Sequence, residues 1–118
     1  MKNRLLSLFV GMLMVGALSS CGGGVAKADL VNGEAIYNKA CIACHLKGVA
    51  GAAALSDKPR WEEIAAKGMT ALTEHAVAGY TGDYGVMPAK GTCVDCSEQD
   101  LYDAISFMMD KAGVEAKQ

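Results

Sequence analysis

The chain has 118 residues, 11 basic and 13 acidic, with a formal net charge of −2. This length gives room for one domain, and the acidic balance makes nucleic acid an unsuitable partner. Apolar residues make up 52% of the sequence but aromatic residues only 6%, so the protein can build only a modest core from its own side chains.

The first 20 residues predict a secretory signal peptide. Lys2 and Arg4 precede an apolar run over residues 5–18, which is too short to span a bilayer comfortably. No other segment has the composition of a transmembrane helix. We therefore expect export to the periplasm.

Two cleavage points fit the end of this signal. Residues 18–21, Leu-Ser-Ser-Cys, resemble a lipobox, in which Cys21 is acylated and becomes the new N-terminus. We favour this lipid anchor, with residues 21–29 as a glycine-rich flexible tether and residues 30–118 as the folded domain. The alternative is ordinary cleavage after Ala28, which would release a freely diffusing protein.

Caps and apolar periodicity predict four helices in the mature chain. They cover residues 31 to 41, from after 57 to 68, 70 to 79, and 97 to about 113. Asp57 is a good N-cap, and Ser97 with Asp100 forms a variant of the capping box. No stretch alternates as a strand does, so the predicted fold class is all-α. The long glycine-rich loops between the helices are typical of a functional site or an internal prosthetic group.

The pentapeptide Cys41-Ile42-Ala43-Cys44-His45 is the attachment signature of a c-type haem. Two thiols on one helical turn can each form a thioether with a haem vinyl group. A histidine directly after them lies where its imidazole can ligate the iron. A redox dithiol and half of a zinc site are the alternatives for the same residues.

The remaining cysteines favour the haem interpretation. If Cys21 is lipidated or removed, Cys93 and Cys96 are left, and an oxidising compartment favours a disulfide between them. A four-cysteine zinc site is disfavoured because 48 residues separate the two pairs, against the roughly 15–20 of zinc ribbons. A catalytic thiol–disulfide role lacks the preceding strand of a thioredoxin-like site.

Met87 is the leading candidate for the second axial ligand of the iron. It lies in a turn-rich loop, and Pro88 restricts it to an extended conformation that projects its side chain from the loop. A thioether suits low-spin haem iron and raises its reduction potential. His75, in the middle of a predicted helix, is the alternative ligand, although a lone helical histidine is most often solvated.

Taken together, these features resemble the class I c-type cytochromes over residues 30–112. The resemblance is carried by residues 33–37 leading into the attachment motif, by Met87-Pro88, and by the C-terminal amphipathic helix. Residues 87–96 are similar to the cytochrome c5 group, in which a short disulfide follows the axial methionine. The resemblance implies a cytochrome c fold of about four short helices around one covalently bound haem c.

The resemblance also implies roles for individual residues. Cys41 and Cys44 would be the thioether attachments, His45 the proximal ligand of the iron and Met87 the distal ligand. It further implies a close crossing of the first and last helices at Gly33. Tyr37 would then pack against the face formed by residues 101–105. Trp61 would lie near a haem propionate, with ordinary core packing as the equal alternative.

One departure from the family pattern concerns the residues after the haem histidine. Relatives often have a proline there whose carbonyl accepts the imidazole N–H, whereas this chain has Gly51-Ala52-Ala53. Any backbone carbonyl can accept this bond, so we expect ligation to be preserved with altered rigidity.

With both axial positions filled, the haem iron would exchange single electrons rather than bind substrate. We expect a monomeric electron carrier, not an enzyme, with donor and acceptor proteins such as a reductase and a terminal oxidase. Lys39, Lys47 and Lys90 are candidate docking charges around the haem edge. A haem enzyme or gas sensor with an open sixth site, and a subunit of a larger oxidase or reductase, are the alternatives.

Overall fold

The computed structural model describes residues 27–117. The predicted signal peptide at residues 1–20, the acylation site Cys21 and most of the predicted tether lie outside the described residues. Within residues 27–117, no helix has the length and apolar character needed to cross a membrane.

The described chain consists of short helices and one small hairpin. The α-helices are α1 Leu30–Ile36, α2 Ile42–His45, α3 Lys58–Ala65, α4 Met69–Ala78 and α5 Glu98–Ala112. A π-helical turn, Tyr37–Cys41, joins α1 to α2, and 3-10 turns cover Val49–Gly51 and Ala89–Thr92. The strands are β1 Tyr80–Gly82 and β2 Gly85–Met87. The four predicted helical regions are all present, and the first of them extends through α2 to His45.

The predicted helix caps are confirmed where a polar side chain provides the cap. The Asp57 carboxylate accepts a hydrogen bond from the Arg60 backbone N–H, and Ser97 forms a reciprocal capping box with Asp100. The third predicted helix, expected to begin at residue 70, begins one residue earlier at Met69, after Gly68, which has no side chain to cap it. Loop geometry rather than a side-chain bond therefore starts this helix.

The hairpin of β1 and β2 is a correction to the prediction that no strand would form. The strands are antiparallel, with Tyr80 opposite Met87, Thr81 opposite Val86 and Gly82 opposite Gly85. Strands of three residues are too short to show an alternating pattern, which explains why the sequence did not reveal them. The fold remains mainly helical, and the hairpin delivers the chain to Met87.

The crossing of α1 and α5 is as close as the glycine predicts. A Cβ built on Gly33 would overlap the backbone carbonyl of Asp103, so only glycine allows the two helices to approach this far. One turn later the rings of Tyr37 and Phe107 are in contact, with centroids 5.4 Å apart. This crossing holds the beginning of the site-bearing segment against the longest helix.

Candidate cofactor site

Cys41, Cys44 and His45 lie within about one turn of the helical segment after α1. Cys41 is buried at the end of the π-helical turn, and Cys44 and His45 are half-buried in α2. Both cysteines are free thiols, and all three side chains line one cavity. Burial, followed by the neighbouring Cys44, raises the pKa of the Cys41 thiol to about 11. The Cys41 side chain is therefore a neutral thiol at neutral pH rather than a thiolate.

His45 is oriented by a backbone acceptor. Its Nδ1–H donates to the carbonyl oxygen of Ala53 at 2.9 Å, and Ala53 is 1% exposed. This bond leaves Nε2 with its lone pair available as a metal ligand. Burial lowers the pKa of His45, the Ala53 bond opposes this shift, and the charge of Arg60 lowers the pKa further. In relatives this acceptor is often the carbonyl of a proline, and here it is the carbonyl of Ala53.

Trp61 supports this arrangement from α3. Its Nε1–H donates to the Ala54 carbonyl at 2.8 Å, and its ring lies 5.9 Å from the His45 ring, centroid to centroid. It is 3% exposed and also lines the cavity. These contacts match the core-packing interpretation of Trp61, while its predicted role near a propionate stays a prediction.

The cavity has a volume of about 520 Å³ and lies between α2, α3, α4, α5 and the hairpin. This volume is in the range of roughly 300–1,000 Å³ that small-molecule and cofactor sites occupy. Its lining is mostly apolar, with several polar and charged side chains. Besides the attachment motif, the lining includes Ala53, Trp61, Ile64, Leu72, Ala76, Ile105 and Met108.

Met87 lines the same cavity as the attachment motif. It is the last residue of β2, half-buried, and the following Pro88 is extended with φ −67° and ψ 154°. Met108 of α5, which the sequence did not single out as a ligand, also lines the cavity and is 4% exposed. Its position on the buried apolar face of α5 was the sequence signal that could have placed it at the cavity. The cavity therefore offers two thioethers.

His75 is not the solvated residue that the sequence suggested. It is half-buried in α4, lines the cavity and stacks on the ring of Tyr80, with centroids 4.3 Å apart. Its imidazole is thus a second nitrogen donor at the cavity, held on one face by an aromatic ring.

The predicted disulfide between Cys93 and Cys96 is present, and both residues are buried. The four-cysteine zinc interpretation is wrong, because this bond occupies both sulfurs and leaves Cys41 and Cys44 at the cavity. Asp95, between the two cysteines, forms an ion pair with Lys39 at 2.7 Å. Lys90 donates to the Cys96 carbonyl at 2.8 Å. Two of the three predicted docking lysines therefore already have partners within the chain.

The donor set and the cavity fit a c-type haem. Two free thiols within one helical turn, an imidazole with its Nδ1 already bound and at least one thioether meet at an apolar space of cofactor size. Such a combination of nitrogen and thioether donors suits haem iron.

Comparison with known proteins agrees with this site. The protein-family model described as "Cytochrome C oxidase, cbb3-type, subunit III" matches residues 28–108. Cytochrome c-555 of Chlorobaculum tepidum is 34% identical over 104 residues, which span 88% of this chain and 96% of that protein. Cytochrome c5 of Ectopseudomonas mendocina is 39% identical over 92 residues, 76% of this chain and 95% of that protein.

A solved structure shows the same fold. A chain in the crystal structure of an electron transfer complex of nitrite reductase with cytochrome c superposes with a TM-score of 0.63 and 37% identity. The match covers 73% of this chain and 99% of that chain. The resemblance to c-type cytochromes, including the c5 group, is confirmed. This chain therefore belongs to the cytochrome c family, as a small electron-transfer protein that binds haem c.

Proposed function

We propose that this protein carries single electrons through one haem c attached at Cys41 and Cys44, with His45 and Met87 as the axial ligands of its iron. The observation that carries the proposal is that these four side chains line a single cavity. The sequence contains one attachment motif, which supports one haem per chain.

The bound haem would supply an iron that changes between the ferric and ferrous states. The protein's contribution is to hold the ligands still during this change. Ala53 orients His45 by its carbonyl, and Trp61 packs beside the imidazole. Met87 is held by strand pairing on one side and by the extended Pro88 on the other. With both axial positions filled by fixed side chains, electron transfer is favoured over substrate binding.

The partners would be a donor and an acceptor protein of an electron-transfer chain, such as a reductase and a terminal oxidase. A chain similar to this one is found in an electron transfer complex with nitrite reductase, which supports this class of partner. The predicted signal peptide would direct the protein to the periplasm, and Cys21 would anchor it to a membrane. We infer a monomer that docks transiently.

The assignment of Met87 as the second axial ligand is tested with three substitutions, each of which replaces a side chain by one of similar size. In Met87→Leu we expect the oxidised protein to lose the far-red sulfur-to-iron charge-transfer band and to become high-spin. Met108→Leu removes the other cavity thioether at the same volume, and we expect the band to persist. His75→Gln should also retain the band, because His75 is not the ligand.

A contradictory result has a definite meaning. If the wild-type protein is high-spin and binds carbon monoxide readily, the sixth position is open and the haem enzyme or gas sensor replaces the carrier. If Met108→Leu rather than Met87→Leu abolishes the band, electron transfer stands but the assigned thioether is wrong.

Mass spectrometry of the intact protein under denaturing conditions tests attachment and anchoring together. We expect one haem to remain bound, and we expect Cys41→Ser and Cys44→Ser each to leave a single thioether. The same mass reports acyl chains on Cys21 or a start at Asp29. Haem released by denaturation from the wild type would contradict covalent attachment.

A subunit of a larger oxidase is the second candidate function, because the matching family model carries that description. It would use the same haem site. Gentle purification from the native membrane distinguishes the two, since a carrier separates from its partners and a subunit remains in a stable complex.

A further inference from the structure

Arg60 makes two contacts that join separate parts of the cavity wall. Its guanidinium carbon lies 3.4 Å from the centroid of the Tyr84 ring, a stacked cation–π arrangement. Its Nη2 donates to the carbonyl of Gly51 at 3.0 Å. Arg60 itself is half-buried in α3 and lines the cavity.

The two segments that Arg60 contacts also touch each other. A Cβ built on Gly51 would overlap the Tyr84 carbonyl, and one built on Gly85 would approach the Ala50 carbonyl to 2.5 Å. The 3-10 turn that follows the histidine segment therefore lies directly against the turn of the hairpin that leads to Met87. Arg60, which belongs to α3, contacts both sides of this junction.

Arg60 also shares the cavity with the proposed iron ligands. Arg60 precedes Trp61, whose ring contacts His45, and both Arg60 and His45 line the cavity. The Arg60 cation therefore lies in the wall of the same cavity as the His45 imidazole.

We propose that Arg60 is a positioning residue with two effects: it raises the reduction potential of the bound haem, and it holds the hairpin of residues 80–87 closed over the cavity. The proposal rests on the proposed function. Oxidation adds one positive charge at the iron, so a fixed cation nearby disfavours the ferric state. The stack on Tyr84 and the bond to Gly51 fix that cation in place and tie the hairpin to α3.

The potential is measured by spectroelectrochemical titration of the haem-loaded protein. In Arg60→Met we expect the reduction potential to shift to a more negative value. Arg60→Lys keeps the charge and should remain close to the wild type. Lys58→Met is the matched control: it removes the same charge from the same helix at an exposed residue that does not line the cavity.

Hairpin closure is measured by hydrogen exchange of the backbone amides in residues 80–87. Arg60→Met and Tyr84→Leu both remove the stack, and we expect exchange there to accelerate roughly 2- to 30-fold. Tyr84→Leu retains the cation, so its potential should change less than that of Arg60→Met. Exchange in α5 serves as the internal reference and should stay unchanged in both variants.

The outcomes separate this inference from the proposed function. Absence of the far-red band in the wild-type protein would overturn the Met87 assignment whatever Arg60 does. With that band present, an unchanged potential in Arg60→Met overturns the electrostatic role of Arg60. A shift of equal size in Lys58→Met also overturns it, because net charge would then suffice. Unchanged exchange in both stack variants overturns the role in closure.

Discussion

Gly33 lies directly against the backbone carbonyl of Asp103, and a Cβ at Gly33 would also come within 3.0 Å of the Phe107 Cβ. Because the obstacle is backbone, no rotamer change can relieve the overlap. We expect Gly33→Ala to destabilise the haem-loaded protein by about 1–3 kcal/mol. This outcome is contrary to helix propensity, which favours alanine by about 1 kcal/mol. Denaturant unfolding followed by far-ultraviolet circular dichroism measures it.

The neighbouring residue provides the control for this substitution. Glu34 is exposed in the same helix, and Glu34→Ala should change the free energy of unfolding by less than about 0.5 kcal/mol. A Gly33→Ala variant as stable as the wild type would show that α1 and α5 can separate at little cost.

Tyr37 has a hydroxyl that is buried without a hydrogen-bond partner within residues 27–117. Burial, followed by the neighbouring Cys41, raises the pKa of this phenol. Since the hydroxyl has no bond to lose, we expect the free energy of unfolding of Tyr37→Phe to be within about 0.5 kcal/mol of the wild-type value, or higher than it. Tyr37→Leu also removes the ring contact with Phe107 and should cost about 1 kcal/mol or more. A marked loss of stability in Tyr37→Phe would reveal a partner for the hydroxyl in the haem-loaded protein.

The disulfide between Cys93 and Cys96 lies at the end of the loop that begins at Met87. The 3-10 turn Ala89–Thr92 connects Pro88 to Cys93, and Lys90 bonds back to the Cys96 carbonyl. We expect the double variant Cys93→Ser, Cys96→Ser to lower the free energy of unfolding by about 2 kcal/mol, because the disulfide closes a very short loop. The far-red band should then disappear at a lower denaturant concentration than the helical signal does.

A variant at the surface next to this loop serves for comparison. Lys39→Met breaks the exposed ion pair with Asp95 and should cost less than about 1 kcal/mol, decreasing with salt. If the double serine variant loses its band and its helices together at the wild-type midpoint, the disulfide has no specific effect on the Met87 loop.

Features with a local cause were predictable from the sequence. The attachment motif depends on spacing within one helical turn, and the caps at Asp57 and Ser97 depend on bonds to residues three positions away. Neither feature requires knowledge of distant parts of the chain. The close crossing at Gly33 was expected instead from the resemblance to c-type cytochromes, because its partner Asp103 is distant in the sequence.

Features that depend on distant partners were not predictable. Asp103 is 2% exposed, and its carboxylate accepts bonds from the Asp29 backbone N–H and from the side chains of Asn32 and Gln99. Nothing in the local pattern distinguishes it from an exposed aspartate. The same holds for Arg60, whose partners Gly51 and Tyr84 meet only after the hairpin forms. Tertiary contacts determined these positions.

Asp100 predicts how stability depends on acid. The side chain of Asn32, followed by the backbone and hydroxyl of Ser97, lowers the pKa of the Asp100 carboxyl. The folded state thus binds fewer protons at this carboxyl than the unfolded state does. The stability that the Asp100 carboxylate contributes is therefore present above its ordinary pKa of about 4, and it is lost as the pH falls through the lower pKa of the folded state. We expect Asp100→Asn to be less stable than the wild type at neutral pH, with the difference shrinking below about pH 4. Asn32→Ala leaves the Asp100 charge in place but removes the main cause of its lowered pKa. The stability of this variant should therefore depend less on pH in the same window. Unfolding at a series of pH values and constant salt measures both, and a deficit of equal size at all pH values would contradict the assigned cause.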